Sequence, residues 1–291
     1  MKKKRRRFGD RKDGRRVRTL CPMNYVSPYI MSPRNDSQNF LMDSVCIDPA
    51  EDYLREKKDA GLKGFSLMHL IISAYLRVIS VYPGLNRFIA GQKIFARNNV
   101  EISLTVKQDM SVNSPETVIK VELDPAMTPE QVFHKVNDAV AAAKDQSNSG
   151  FDKTAGALSH IPGLVLRTAV GALRGLDYFG KLPKALIKVS PFHASMFITS
   201  MGSLGIPPVF HHLYNFGNVP VFIAFGAKRS ENVLNDDGTV TKRKMVDLTF
   251  VLDERICDGH YYAASLKLFK RYMADPWQLD TPPRDVAEDI D

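Results

Sequence analysis

Residues 66–81, SLMHLIISAYLRVISV, constrain this chain more than any other stretch. Apolar side chains occupy nearly every face of a helix drawn through them, so such a helix has no face to offer water and must lie inside the fold. The rest of the chain must wrap it. At 291 residues and 44% hydrophobic content there is material for one large domain or two small ones. His69 sits on this helix and reads as a core or boundary histidine rather than a ligand. No run of 18 apolar residues occurs, so no membrane span is expected.

The flanking segments show which elements do the wrapping. FLMDSVCID (40–48) alternates and predicts a strand. Asp48 as N-cap, with Pro49 in the first helical position, predicts the helix that follows. Residues 82–108 hold strand-like runs punctuated by Gly91 and Asn98-Asn99, which predicts a hairpin. VIKVELDP (118–125) reads as a strand. MTPEQVFHKVNDAVAAAK (127–144) reads as a helix with Thr128 as N-cap and Pro129 at its first position. Residues 145–190 begin as a loop. They continue as an apolar, glycine-punctuated helical stretch broken near Pro162 and Pro183, a helical insertion or flap that packs on the core or on another subunit. The last third is strand-rich: SMFITSMG (195–202), VPVFIAFGAK (219–228) and KMVDLTFVLDE (244–254). Between the last two, Asp237-Gly238 marks a hairpin turn. HYYAASLKLFKRYMADP (260–276) closes the pattern as a helix. The expectation is one α/β domain over residues 19–280, with an acidic, frayed tail at 281–291.

Charge is unevenly placed. Of 40 Lys and Arg and 32 Asp and Glu, residues 1–18 hold 11 and 2, which leaves 29 and 30 for the remainder. The body is near neutral, and the formal charge of +8 resides in a basic arm read as a solvated, partly ordered tail. No RNA- or DNA-binding pattern with interleaved aromatics appears, so nucleic-acid binding is not expected. Cys21, Cys46 and Cys257 form no close pair and no metal spacing, and no apolar segment follows the arm as in a secretory signal. Both features fit a reducing cytoplasm.

The chemistry concentrates in FVLDERICDGHYYAASLKLF (250–269), where a strand runs through a charged turn into a helix. Four segments resemble the superfamily of chloramphenicol acetyltransferases and the catalytic domains of 2-oxoacid dehydrogenase acyltransferases. YPGLNRFIAGQKIFARNNVEISLTV resembles the family's Pro-x-Leu-Asn, glycine hairpin and strand. FITSMGSLGIPPVFHHLYNFGNVPVFIAFG resembles its strand ending in Ser/Thr and Leu-Gly, then a loop and a strand closing in Gly. DERICDGHYYAASLKLFKRYMADPWQL resembles the His-x-x-x-Asp-Gly signature, its helix and the Pro-x-x-Leu ending. RRVRTLCPMNYVSPYIMSPR resembles the N-terminal arm. Together these span most of residues 15–280.

The resemblance implies a two-layer α/β sandwich with a mixed β-sheet flanked by helices. It also implies a homotrimer with sites at subunit boundaries, coenzyme A or acyl-CoA as cosubstrate, and no metal. The signature Asp and Gly fall on Asp258 and Gly259, but its histidine position holds Glu254. A carboxylate raised by burial is a competent base, so Glu254 takes that role in one reading. His260 is an alternative base, as are His193 and the pair His211-His212. The oxyanion donor falls on Thr199, with Ser200 as the alternative. The arginine paired with Asp258 would be Arg16 or Arg18. With no lipoyl or peripheral-subunit-binding domain in the sequence, a stand-alone acyltransferase acting on a small hydroxyl or thiol acceptor is expected. The alternative is an inactive trimer that keeps the fold and a ligand cleft.

Overall fold

A six-strand path organises the protein, whose computed structural model describes residues 6–107, 116–145 and 160–289. The order is β2 (Gln38–Cys46), β10 (Val240–Asp253), β8 (Val221–Phe225), β7 (Met196–Ser200), β5 (Val100–Lys107) and β6 (Glu116–Leu123). The pairs β5/β7 and β7/β8 are parallel and the others antiparallel, which makes a mixed sheet. β9 (Arg229–Leu234) pairs with the first half of β10. A second, three-stranded sheet runs β1 (Gly14–Arg16), β4 (Lys93–Arg97), β3 (Arg87–Ala90).

Helices cover one face of the large sheet. α3 (Leu67–Val81) lies at its centre with 13 of its 15 residues buried, as its nearly all-apolar surface demands. α2 (Asp48–Asp59), α4 (Pro129–Asp145) and α7 (Gly259–Ala274) flank it. The strands send alternate residues, among them Ile102, Ile198, Ile223 and Leu248, into the core shared with these helices. The opposite face carries a smaller cluster of Phe197, Phe222 and Val251, closed over by Leu213 and Val219. The remaining α-helices among the described residues are α1 (Pro22–Ile30), α5 (Gly163–Tyr178) and α6 (Lys184–Val189). Among the described residues, no helix is long and apolar enough to cross a membrane.

Local chemistry accounts for most boundaries. Thr128 and Gln131 exchange capping-box bonds at the start of α4. Ser66 and His69 do the same for α3, and burial pushes His69 down to about 4. The β3–β4 hairpin turns on Gly91 and Gln92, both at positive φ (54° and 55°), the pattern of a tight two-residue hairpin. A Cβ on Gly91 would stand 2.4 Å from the Tyr178 carbonyl oxygen, so the C-terminal end of α5 rests on this glycine.

The structure corrects several expectations. α2 starts at Asp48 itself, and the Asp48 carboxylate accepts the Lys244 backbone N–H of β10 instead of capping its own helix. The polar stretch before Asp237-Gly238 is a strand, β9, and β10 begins four residues earlier than the sequence suggests. The basic arm is built in from Asp10 onward: Asp10 pairs with Arg18, β1 adds an edge to β4, and Arg11 is buried. The acidic tail also docks, through an Asp289–Arg87 ion pair and a bond from Ala287 N–H to the Ser80 carbonyl. Residues 1–5, 146–159 and 290–291, parts of the arm, the insertion and the tail, lie outside the described residues.

Candidate active site

The turn after β10 separates two adjacent carboxylates. Asp253, the last strand residue, is fully buried. Arg255 clasps it with two bonds, Nε to Oδ1 at 2.8 Å and Nη2 to Oδ2 at 2.7 Å. Arg34 Nε stands 3.5 Å from Oδ2, and the Ser37 hydroxyl donates to Oδ1. Arg255 further donates to the Met31 and Ser32 carbonyls, and Arg34 to those of Tyr214 and Ile89. Two guanidinium groups and one carboxylate thus tie the strand end to the chain before β2 and to the loop before β8. Burial lowers Arg34 to about 10; Asp253 works against that shift and Arg255 adds to it.

Glu254 takes the opposite environment: its side chain is exposed, and its backbone N–H donates to the Ser37 carbonyl. Asp258 is exposed and caps α7 by accepting the Tyr261 N–H at 2.9 Å. Gly259 and His260 form the first exposed turn of α7. Cys257, between them and the anchor, is buried, and burial pushes its thiol up to about 12, which suits packing and not nucleophilic attack.

The other named residues lie elsewhere. Arg18 pairs with Asp10 at 2.9 Å, and Asp10 also accepts the Arg16 backbone N–H. Within one chain neither arginine reaches Asp258; the arginine–carboxylate pairing at this turn uses Arg34, Asp253 and Arg255. Sequence reasoning missed this anchor. The spacing Asp-x-Arg in DER was its local signal, but nothing in the sequence joins Arg34 to a carboxylate 219 positions away. His193 is buried, with Nδ1 2.8 Å from the Ser190 hydroxyl and Nε2 3.4 Å from Asp177 Oδ2. His211 stacks on Phe222 at 4.3 Å between ring centres, and burial lowers its basicity, helped by His212. His212 is exposed beside Tyr214.

Thr199 and Ser200 are half-buried at the C-terminal end of β7. Thr199 lies in register with Ala224 of β8, and Ala224 with Thr249 of β10. Five residues beyond Thr249 at ~3.3 Å each, and two strand spacings sideways, put Glu254 and Thr199 on the order of 19 Å apart. One chain therefore carries the two at opposite ends of its sheet. The chain after β7 is tight: a Cβ on Gly202 would stand 2.9 Å from the Gly226 carbonyl oxygen.

Residues 189–280, which include both sheet ends and the turn, match the family model described as 2-oxoacid dehydrogenases acyltransferase (catalytic domain). A probable dihydrolipoamide acetyltransferase from Listeria monocytogenes superposes with TM-score 0.58 at 16% identity, over 93% of this chain and 99% of the other. The Azotobacter vinelandii dihydrolipoamide acetyltransferase gives 0.59 at 16% identity, over 88% of each chain. The chain has the chloramphenicol acetyltransferase-like fold. A truncated catalytic core of the 2-oxoacid dehydrogenase multienzyme complex from Thermoplasma acidophilum shares it, with TM-score 0.55 at 13% identity over 89% and 98%. No curated protein matches the sequence. Within this acetyltransferase-like fold, the anchored turn sits at the end of the longest strand, and the half-buried hydroxyls sit two strands away at the opposite end.

Proposed function

We propose that this protein is an acyltransferase that moves an acyl group from coenzyme A to a small hydroxyl or thiol acceptor, at a boundary between copies of the chain in a homotrimer. The observation that carries the reading is the placement of Glu254 and Thr199 at opposite ends of one sheet, on a fold shared with acetyltransferases. A residue pair that cannot meet within a chain can meet across a boundary. The Azotobacter enzyme adds support: a serine, a histidine and an asparagine have been studied in its catalytic mechanism, the last two four positions apart. Glu254 and Asp258 have that spacing.

In this mechanism the Glu254 carboxylate takes the proton from the acceptor's O–H or S–H, and the freed oxygen or sulfur attacks the thioester carbonyl carbon. The Thr199 hydroxyl of the adjoining copy, or that of Ser200, donates to the tetrahedral oxyanion. Collapse breaks the carbon–sulfur bond, and the departing thiolate recovers the proton from Glu254. Burial against the adjoining copy would supply the apolar surroundings that make a carboxyl an effective base. The Arg34–Asp253–Arg255 anchor fixes the strand end from which Glu254 projects.

The test is thiol release from acetyl-CoA with a panel of alcohols and thiols. Glu254→Gln and Thr199→Val should each lose activity, and mixed assemblies of the two variants should recover part of it, because some boundaries then carry both native residues. Equal thiol release by wild type and Glu254→Gln removes Glu254 from the base role. A second reading, an inactive trimer with a ligand cleft, draws on the exposure of Glu254 in the single chain. Saturable coenzyme A binding by calorimetry without thiol release would favour it.

A further inference from the structure

α5 lies on the body without burying a single residue completely. Leu166, Val170, Leu173 and Asp177 form its half-buried side, and the other side is presented to water. That outward half has two flanks. One is apolar: Val165, Ala172, Leu176 and Phe179 recur at helical spacing, with Val165 55% and Phe179 74% exposed. The other is basic, with Arg167 and Arg174 one heptad apart, exposed and without an ion pair among the described residues. Thr168, Gly171 and Gly175 lie between the flanks, so the backbone can approach a surface closely. Lys181, Lys184 and Lys188 follow, all exposed. Between residues 160 and 190 the one acid is Asp177, and it is turned inward to Arg11 and His193.

The basic arm sits beside this helix. Arg11 Nη2 donates to Asp177 Oδ1 at 2.6 Å, and Lys12 Nζ to the Leu182 carbonyl at 3.4 Å. Upstream, Phe8 stands wholly exposed directly after Arg6 and Arg7. A surface that offers apolar side chains and unopposed cations together narrows the choice of occupant. A second copy meeting it face to face would set cations against cations. A nucleic acid would take the charges and leave Val165 and Phe179 wet. An anionic bilayer takes both, because its phosphates meet the cations while the apolar side chains enter the headgroup boundary. We propose that α5, the segment leading into α6 and the adjoining arm dock this protein on a membrane surface rich in anionic phospholipid. This is attachment to one leaflet and not a span. It is independent of the transfer reading, since none of these residues belongs to the Glu254 turn or to the strand end that carries Thr199.

The test is co-sedimentation of the full chain with vesicles of phosphatidylcholine and phosphatidylserine in equal parts, against vesicles of phosphatidylcholine alone. The protein should partition onto the anionic vesicles, bind the neutral ones at least about 10-fold more weakly, and come off as salt is raised. Arg167→Gln with Arg174→Gln should weaken binding about 30-fold. Val165→Gln with Phe179→Gln should weaken it about 10-fold. All four side chains are exposed, so both variants should melt with the wild type. No partition of the wild type onto anionic vesicles overturns the proposal. Equal binding by the Val165→Gln, Phe179→Gln variant does so too, because the arm would then hold the surface without the helix. A wild type that ignores vesicles but binds a DNA duplex, or that loses mass by light scattering in that same variant, would put a nucleic acid or a second copy on this face instead. If either variant does not fold, hydrogen exchange of the wild type decides: anionic vesicles should slow it in residues 163–179, and unchanged exchange there overturns the proposal.

Discussion

Two parts of the molecule rest on buried arginine–carboxylate networks. At the end of β10, Asp253 is held between Arg255 and Arg34, and every partner lies inside the main body. At the periphery, Arg11 of the arm bonds Asp13 at 2.9 Å and Asp177 of α5 at 2.6 Å, with its guanidinium 5.6 Å from the Phe88 ring centre. His193 reaches the same Asp177. The first network fixes a strand end that already has a core on one side. The second fastens a helix with no buried residue of its own. The same chemistry therefore acts globally in one place and locally in the other, according to what else holds the element.

The largest effect expected from this contrast is that of Asp253→Ala. It strands two buried guanidinium groups and should lower stability by about 4 kcal/mol, measured by denaturant unfolding; a loss under about 1 kcal/mol would break the comparison. Asp177→Ala should cost about 2 kcal/mol locally. Hydrogen exchange should quicken in residues 6–18 and 163–178 while α3 stays protected. Acid should reproduce this effect. Burial pushes the Asp177 carboxyl up, but His193 and Arg11 outweigh it and hold it at about 2. The stabilisation is thus complete above the usual carboxylate range near 3.8 and fades as pH falls toward 2, by about 2 kcal/mol in all. Exchange in α5 that shows no such loss would remove Asp177 from the network.

Gly91→Ala should destabilise by about 2 kcal/mol, from the positive φ together with the clash against Tyr178. Most of that loss should show in α5, and a loss confined to the β3–β4 hairpin would mean α5 is held by Arg11 and His193 alone. The smallest effect is that of Asp258→Ala, about 1 kcal/mol for a lost helix cap. A thermal melt showing several times that value would indicate that Asp258 has a buried partner in the assembled protein.

The core of the fold was legible because its signals are local. The apolar run of α3, the Thr128-Pro129 start of α4 and the apolar runs of β7, β8 and the second half of β10 each announce themselves within a dozen residues. β9 did not, since its side chains are almost all exposed and carry no apolar alternation. Arm and tail looked like solvated charge because their partners, Asp177 for Arg11 and Arg87 for Asp289, are remote in sequence. At the candidate site the turn and its Asp-Gly were visible. The direction in which Asp253 and Glu254 divide was not, because strand alternation says that two neighbours face apart and leaves open which one is buried.

That division has a consequence for how the segment can vary among relatives. Side chain 254 is exposed and makes no hydrogen bond or ion pair among the described residues, so it can be exchanged for many others without loss of the fold. Length is a different matter. Adding or removing one residue between Leu252 and Asp258 would turn the inward carboxylate outward, leave Arg34 and Arg255 facing an empty seat, and shift the cap of α7 by one position. Relatives of this chain should therefore differ in what stands at 254 far more readily than in how many residues separate the strand from the helix.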